Sequence, residues 1–365
     1  MEFSLFYFAD STCADGAGHS YELLLEGAKF ADRNGFAAVW TPERHFHSVG
    51  ALYPNPSVTG AAVAAVTERV SVRAGSVVPA LHHPLRIAEE WAIVDNLSHG
   101  RAGISFASGW DPVDFALNPS GYADRRTTVL DTMQQVRALW RGDPMKTLDG
   151  VGNTAELQVY PRPVQRELPV WLTSAGSPDT FRAAGEAGAG VLTHLLGQSM
   201  DELAEKIAVY REAHAGRPDH DGRPGHVALM LHAFVGDDPE AVLDTVREPF
   251  IAYLKSSFNL IARSAVDTLQ GLDLGSLSDA QVDFLVRRSF DRYYGTSGLF
   301  GTVEQAGAIV EQARAAGVDE LACFIDFGVP TDQVLAGLEH LNRVRRNAGS
   351  RVPHSPAARH ATETS

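Results

Sequence analysis

The feature that most constrains the fold is an alternation of short apolar runs with longer amphipathic segments, repeated about eight times along the chain. The apolar runs are rich in β-branched and aromatic residues, which is typical of strands buried on both faces of a parallel sheet. They cover residues 3–9, 37–40, 70–78, 101–107, 169–175, 190–195, 227–235 and 321–327. Such βα repetition in 365 residues predicts an α/β fold, a (β/α)8 TIM barrel, with a doubly wound sheet as the alternative.

Several amphipathic segments carry helix start and stop signals. Two have capping-box spacing in the first turn, namely Ser199 with Glu202 and Thr302 with Gln305. Three glycines stand where a left-handed residue ends a helix: Gly35, Gly188 and Gly317. These signals place helices between the predicted strands, as a barrel requires.

Two segments interrupt the alternation. Residues 147–168 are rich in turn residues and predict a hairpin before the fifth strand. Residues 236–301, after the seventh strand, are too long for one crossover and predict a helical lid, with a peripheral helical subdomain as the alternative. We expect a single barrel domain over 1–347 and a disordered C-terminal tail over 348–365.

The charge balance excludes some function classes. Lys and Arg number 31 against 45 Asp and Glu, a net charge of -14, which argues against binding nucleic acid or an anionic membrane surface. No run reaches the roughly 18 apolar residues of a membrane span, and no signal peptide is recognised, so a cytoplasmic location is expected. The two cysteines, Cys13 and Cys323, are expected to be free buried thiols.

Catalytic side chains of barrels lie at the carboxyl ends of the strands, and the second strand ends in the densest ionisable cluster of this chain. The stretch VWTPERHFH (39–47) places Glu43, Arg44, His45 and His47 on one short elbow. An acid, a guanidinium and imidazoles so close together predict acid–base chemistry or binding of a polar ligand.

The fifth strand leads into a second candidate site. Thr173, Ser174, Ala175, Gly176 and Ser177 run directly into a helix, with Pro178 near its first position. Small residues, hydroxyl donors and a helix N-terminus favour a phosphate group, although a routine helix cap fits the same residues.

A metal site is the competing interpretation of the histidines. His45 and His47 could combine with His194, His232 and Asp326 at later strand ends. The fourth and fifth strands end in ASGW and TSAGS, however, without the acid or lysine that barrel hydrolases use, so we expect no metal. His82 and His83 are expected to cap the third helix. No P-loop, dinucleotide fingerprint or nucleophile elbow is found.

Several stretches resemble the bacterial luciferase-like, flavin-dependent monooxygenases, over roughly residues 2–345. These are VWTPERHF, SVRAGSVVPALHHPLRIAEEWAIVDNLSHGR with the following RAGISFASGW, and PVWLTSAGSPDTFRAAGEAGAGVLTH. TPERHFH together with SGLFGT is most similar to the subgroup encoded with polyketide and nonribosomal peptide assembly lines, such as that for mupirocin.

The resemblance implies an FMN-dependent oxidoreductase with FMN across the carboxyl face of the barrel. Reduced FMN would react with O2 to give a C4a-(hydro)peroxide that oxygenates an organic substrate, either a free small molecule or one tethered to a carrier protein. The family's non-prolyl cis peptide aligns with Gly75-Ser76. The phosphate would be held by Ser174, Gly176 and Ser177, and other flavin-lining positions are Ala107, Ser108, Thr173, Ala175 and Thr193.

The resemblance also implies roles on the substrate side. His45 would donate or accept a proton, Arg44 would hold a peroxide, carboxylate or carbonyl oxygen, and Glu43 would orient one of them. The substrate would meet His47 and Trp110, while lid residues Arg292 and Tyr293 would help to exclude water.

The chain departs from luciferase itself at three positions. Arg44 stands where luciferase has the first histidine of Glu-His-His, Ser108 where it has a phosphate-binding arginine, and Ala107 where it has an active-site cysteine. Aldehyde oxidation with light emission is therefore not expected. The phosphate must find its positive charge elsewhere or rely on helix-terminal amides.

Because the chain shows no nicotinamide site, a separate NAD(P)H:flavin reductase is expected to supply reduced FMN, and the family resemblance favours a homodimer. Three alternatives stay open: a deazaflavin (F420)-dependent dehydrogenase on the same fold, a metal-dependent hydrolase, and a non-catalytic flavin-binding subunit. Hydroxylation and Baeyer–Villiger insertion are not distinguished, and neither is the substrate.

Overall fold

The computed structural model describes residues 1–8, 21–47, 52–219, 222–264 and 278–350, with the backbone alone for 256–264 and 279. Its strands are Glu2–Phe6 (β1), Ala38–Thr41 (β2), Ser71–Val77 (β3), Ala102–Phe106 (β4), Met145–Leu148 (β5), Thr154–Leu157 (β6), Val170–Ser174 (β7), Gly190–His194 (β8), Val227–Gly236 (β9), Leu299–Thr302 (β10) and Glu320–Phe324 (β11). Each of the predicted apolar runs overlaps one strand of a parallel barrel.

The barrel closes through parallel pairing alone. Its order is β1-β2-β3-β4-β7-β8-β9-β11, and β11 returns to β1 with Glu2 opposite Glu320 and Phe6 opposite Phe324. The strand residues are almost all buried, since one face meets the barrel interior and the other meets the surrounding helices. This confirms the predicted (β/α)8 barrel.

The described helices are Glu22–Asn34 (α1), Pro56–Val66 (α2), Pro84–Leu97 (α3), Arg125–Arg141 (α4), Pro178–Glu186 (α5), Met200–Ala215 (α6), Pro239–Ser264 (α7), Asp279–Thr296 (α8), Val303–Ala315 (α9) and Thr331–Ser350 (α10). Both predicted capping boxes are formed, at the starts of α6 and α9. Gly35 ends α1 in the left-handed conformation with φ 73°. The domain boundary predicted at residue 347 falls inside α10, and residues 351–365 lie outside the described residues.

One buried carboxylate, Glu320 at the start of β11, links several side chains in the barrel interior. Its Oε1 accepts hydrogen bonds from Ser4 Oγ at 2.5 Å and Trp40 Nε1 at 2.8 Å, and its Oε2 pairs with Arg73 Nη1 at 2.7 Å. The Arg73 guanidinium also lies over the rings of Trp40 and Trp171, at 4.9 and 4.6 Å from their centroids. Burial alone would raise the pKa of Glu320, but Arg73 and the hydrogen-bond donors lower it overall.

Two excursions leave the regular alternation. An antiparallel β5–β6 hairpin begins at Met145, slightly before the predicted segment at 147–168. After β9 the chain forms α7 and α8, so the predicted helical insertion is present, although residues 265–277 lie outside the described residues. β10 then pairs in parallel with the outer half of β9, Ala233 to Gly236.

Two further expectations can be compared with the structure. Cys323 is a buried free thiol, whereas Cys13 lies outside the described residues. Within the described ranges, no helix combines the length and the apolar character needed to span a membrane.

Candidate active site

The elbow begins where β2 ends. Pro42 follows the strand and carries no backbone N–H for a further ladder hydrogen bond. Glu43 and Arg44 come next and are 7% and 2% exposed, and the Arg44 amide donates to the Tyr53 carbonyl at 3.0 Å. Because an isolated buried charge is costly, both side chains need partners.

Glu43 finds its partners in two imidazoles and one amide. Its Oε1 accepts from His45 Nε2 at 3.0 Å and from His82 Nε2 in a very short contact, and its Oε2 accepts from the Val78 amide at 2.7 Å. Burial alone would raise the pKa of Glu43, but the hydrogen bonds from the two histidines lower it overall. The carboxylate is therefore held in its charged form.

The sequence predicts that His82 and His83 cap the third helix together, and the structure divides them. His83 is the N-cap of α3, with its Nδ1 accepting from the Leu85 amide at 3.2 Å. His82 binds Glu43 instead, so the prediction is wrong for this residue. The available signal was topological: β2 and β3 are adjacent parallel strands, so the segment after β3 lies beside the elbow.

Arg44 is enclosed by two carboxylates that sequence reasoning missed. Its Nη1 contacts Asp114 Oδ2, its Nη2 contacts Asp111 Oδ2 at 2.5 Å, and its Cζ lies 4.8 Å from the centroid of a Trp110 ring. Burial raises the pKa of Asp114, with Arg44 opposing the shift and Asp111 adding to it. The Arg44 charge therefore joins the elbow to the segment after β4, instead of facing a ligand unpaired.

A hydroxyl cluster lies at the ends of β3, β4 and β7. Thr173 Oγ1 is in very short contact with Ser76 Oγ and lies 2.7 Å from Ser105 Oγ. The peptide between Gly75 and Ser76 is cis. A Cβ at Gly75 would lie 2.7 Å from the Phe6 ring, so only glycine fits there without a shift.

The turn from β7 into α5 has the features of an anion cradle. Gly176 has a φ of 115°, which favours glycine, and its amide lies 3.2 Å from Ser174 Oγ. Ser177 is the N-cap of α5, yet its side chain makes no capping hydrogen bond. The routine side-chain cap that the sequence leaves open is therefore not formed, and the Ser177 hydroxyl is not used by the helix.

A cation borders this cradle. Lys206 and Gln198 lie close to Gly176: a Cβ atom placed on this glycine would be 3.1 Å from Gln198 Oε1 and 3.3 Å from Lys206 Nζ. Lys206 donates to Gln198 Oε1 at 2.8 Å, and Gln198 Nε2 lies 3.2 Å from Thr193 Oγ1. Sequence reasoning missed Lys206 and Gln198, which belong to the α6 side of the next βα unit. Together these residues form a small, positively charged recess that suits a phosphate group.

The adjoining part of the barrel mouth, at β9 and β11, is apolar and aromatic. The His232 ring lies 4.5 Å from Phe250, 4.9 Å from Tyr253 and 4.6 Å from Phe324 between ring centroids. Burial lowers the pKa of His232 to about 3 and that of His194 to about 4, so both imidazoles are neutral near pH 7. His232 Nε2 is buried without a hydrogen-bond partner among the described residues.

The other predicted residues lie around these clusters. Ala107 follows β4, where its amide donates to the Val77 carbonyl at 2.9 Å. The Tyr293 ring lies 6.5 Å from Phe250, and exposed Arg292 lowers the pKa of Glu202 at the start of α6, as a lesser contribution beside the Ser199 hydrogen bonds. The remaining predicted positions are half-buried or exposed: Ser108, Trp110, His47 and Ala175.

The histidines named in the metal alternative have other surroundings. His45 binds Glu43, His194 Nδ1 accepts from the Leu196 amide at 3.1 Å, and Asp326 accepts from the Tyr53 hydroxyl at 3.1 Å.

Within the described part of the chain, the one trio with suitable ligand spacing is Glu2, His226 and Glu320, at the amino ends of the strands. There Trp171 Nε1 donates to His226 Nδ1 at 2.9 Å, which puts the ring proton on Nε2. Arg73 already balances the negative charge of Glu320, so these three residues are poorly suited to binding a cation.

Comparisons with known proteins identify the family of this chain. The sequence model of the family described as luciferase-like monooxygenase matches residues 1–320. The oxygenase component of a flavin-dependent trigonelline monooxygenase from Acinetobacter baylyi is 25% identical over 351 residues, 93% of each chain.

Two solved structures share the fold. Monooxygenase RslO1 from Streptomyces bottropensis has a TM-score of 0.79 at 22% identity, with 96% of this chain and 100% of that chain covered. The oxygenating constituent of 3,6-diketocamphane monooxygenase from Pseudomonas putida, in complex with FMN, has a TM-score of 0.73 at 19% identity, with coverages of 95% and 98%. With the family model matching most of the sequence, the chain belongs to the luciferase-like monooxygenases and is a flavin-dependent oxidoreductase.

Proposed function

We propose that this enzyme uses reduced FMN and O2 to oxygenate an organic substrate. The observation that carries the proposal is the cradle at the turn from β7 into α5, where Lys206 stands beside Gly176. Lys206 offers the positive charge that Ser108, in place of luciferase's arginine, does not provide. When bound, reduced FMN supplies the electrons that activate O2.

The cradle residues have separate tasks toward the phosphate. Ser174, Gly176 and Ser177 would hold its oxygens with hydroxyls and the helix-terminal amides, and Lys206 would balance its charge. Gln198 keeps the Lys206 ammonium at the edge of the recess through the 2.8 Å hydrogen bond. A cofactor with a terminal phosphate fits this donor set, whereas a flavin without one leaves the lysine unused.

Proton transfer at the mouth would fall to His45. Because Glu43 Oε1 accepts from His45 Nε2, that nitrogen carries a proton, and Nδ1 is left to accept one. Glu43 thereby fixes the tautomer and orientation of His45, as a carboxylate does in other carboxylate–imidazole pairs. Arg44 fixes the elbow itself through Asp111 and Asp114.

The inserted helices would cover the mouth and exclude water. Phe250 and Tyr253 of α7 contact the buried His232, the last β9 residue that pairs with β11. Arg292 of α8 lies within electrostatic range of Glu202, one turn before Lys206. A cover over this part of the mouth, at β8 and β9, would exclude water and so favour oxygen transfer to the substrate over release of the reducing equivalents as H2O2.

The phosphate assignment can be tested by comparing FMN with riboflavin. Titration of the protein into each flavin, followed by fluorescence, should show tighter binding of FMN. Lys206→Met should weaken FMN binding about 10- to 100-fold, the loss of one charge-assisted hydrogen bond, and leave riboflavin binding unchanged. Lys206→Arg should retain most of the preference. Lys146→Met, on the distant β5 strand, is the matched control.

Reaction with oxygen separates the monooxygenase from a deazaflavin-dependent dehydrogenase. Anaerobic protein with reduced FMN is mixed with oxygenated buffer, and the flavin spectrum is recorded with time. Protein-dependent reoxidation kinetics support the proposal. Failure to bind FMN, together with tight binding of F420, would instead support the dehydrogenase.

The proposal extends to substrate class and electron supply. The TPERHFH spelling supports a substrate from natural-product biosynthesis, free or tethered to a carrier protein. The relative from Acinetobacter baylyi is named as an oxygenase component, which supports a separate NAD(P)H:flavin reductase. Addition of such a reductase to protein, FMN and NADH should be required for O2 consumption.

A further inference from the structure

One carboxylate oxygen of Glu43 serves two histidines. Oε1 accepts from His45 Nε2 at 3.0 Å and from His82 Nε2 in a shorter contact. The side chain of Glu43 is 1% exposed and that of His45 is 10% exposed, whereas that of His82 is 30% exposed. Glu43 therefore joins His45 to His82, and His82 is the most solvent-exposed of the three groups.

The surroundings of His82 are polar. A cavity of about 20 Å³, room for one water molecule, is bounded by Glu43, His82, Asn55, Ser57 and Glu90, among others. Ser57 Oγ donates to Glu90 Oε2 at 2.7 Å. Because His82 lines this cavity and its side chain is 30% exposed, it can exchange protons with water while it contacts Glu43.

The charges that face His82 come from two elements. Glu43 projects from the elbow, and Glu90 and Arg86 project from α3, where they pair with each other. Burial alone would lower the pKa of His82, but the hydrogen bond and the charge of Glu43, aided by Glu90, raise it overall. Since Arg86 opposes this shift only weakly, Glu43 is the dominant partner of His82.

Sharing one oxygen couples the two imidazoles. A protonated His82 offsets the negative charge of Glu43, so the carboxylate then stabilises a positive charge on His45 less strongly. A neutral His82 leaves the full carboxylate charge to act on His45. Interacting groups of this kind titrate as a unit.

We infer that His82 is a positioning residue that sets the protonation of His45 through Glu43. The inference rests on the proposed function, because it assigns His45 to proton transfer at the mouth. His82 itself touches no reacting atom in this scheme. Through Glu43, the charge on partly exposed His82 influences whether His45 holds a proton.

The coupling can be measured without flavin. Ring ¹⁵N–¹H spectra of the histidines are recorded across pH for the full chain, for His82→Gln and for His83→Asn. His82→Gln keeps a hydrogen-bond donor near Glu43 but never carries charge, so the pH-dependent change in the His45 ring signals should move to higher pH than in wild type. His83→Asn keeps the helix cap and is the matched control, with the wild-type curve for His45.

The same variants are then compared with FMN bound. The pH profile for reoxidation of bound reduced FMN by O2 should lose one ionisation in His82→Gln, with rates changed about tenfold at acidic pH and little at alkaline pH. Identical His45 titration curves and identical pH profiles for wild type and His82→Gln would overturn the inference. A uniform loss of rate at all pH values would also overturn it, because it indicates a merely structural role.

Failure of FMN binding and failure of the variant to fold can each be distinguished from failure of the inference. If wild-type protein binds no FMN, the proposed function fails while the His45 titration still tests the coupling. If His82→Gln does not fold, His82→Asn replaces it with the same expectations.

Discussion

Mild acid should destabilise this protein through two imidazoles, those of buried His232 and half-buried His194. Burial lowers their pKa values from an ordinary 6.5 to about 4 and about 3. Each folded-state pKa lies below its unfolded value, so the unfolded chain binds the proton more readily. The stability that each neutral imidazole represents is therefore present above pH 6.5 and is lost as pH falls below it.

The size of the effect follows from these values. Between pH 7.5 and pH 5, an unfolded histidine becomes almost fully protonated, while His194 and His232 in the folded protein stay largely neutral. Proton uptake at each site then lowers the free energy of unfolding by about 2 kcal/mol, which is a factor of about 10 to the power 1.5 in the unfolding equilibrium constant. The two sites together lower it by about twice that. His82 acts in the opposite direction, because its pKa is raised and its stabilisation grows as pH falls. Domains of this kind have only about 5–15 kcal/mol in total, so the loss is measurable.

Urea denaturation at pH 7.5, 6 and 5 checks the prediction. Wild-type protein should show a clear fall in the free energy of unfolding, and His232→Leu should show a fall that is smaller by about 2 kcal/mol. Leucine also removes a buried nitrogen that has no partner among the described residues. A free energy of unfolding that falls equally in wild type and His232→Leu would refute the assignment of a buried neutral imidazole.

Three further variants test the packing around the site. Arg44→Met leaves two carboxylates without their partner and should lower the free energy of unfolding by about 3–5 kcal/mol in urea denaturation; an unchanged midpoint would contradict the buried ion pairs. Gly75→Ala places a Cβ 2.7 Å from Phe6 and should lower stability by about 1–3 kcal/mol, whereas Gly150→Ala, with open space around it, should change the melting temperature little. Glu320→Gln breaks the buried ion pair with Arg73 at the base of the barrel and should lower the free energy of unfolding by about 3–5 kcal/mol. A melting temperature equal to that of wild type would count against a stabilising role for this ion pair.

The barrel itself could be predicted from sequence because its signals are local. Each strand is a short apolar run, and capping boxes at Ser199 and Thr302 mark where helices begin. Strand ends were predicted to within a few residues for the same reason. The domain end predicted at residue 347 lies inside α10, which continues to Ser350 through a polar stretch without a strong stop signal.

The partners of the elbow could not be predicted in the same way. Glu43 and Arg44 were evident as chemical groups, but Asp111, Asp114 and His82 reach them only through the adjacency of β2, β3 and β4. Long-range pairing of charges depends on side-chain directions that periodicity does not encode. The position of Lys206 beside the cradle could not be predicted for the same reason, since nothing in its helical context distinguishes it from a solvent-facing lysine.

The long strand β9 divides its hydrogen bonding between two tasks. Residues 227–232 close the ring by pairing with β8 and β11, whereas Ala233 to Gly236 pair with β10. The segment between β9 and β10 is therefore joined to the barrel at adjoining strands, outside the pairing that closes the ring. Recombination between homologous genes at these two points would exchange the helical segment as a cassette. The helical segment can in this way change while the barrel strands are inherited unchanged.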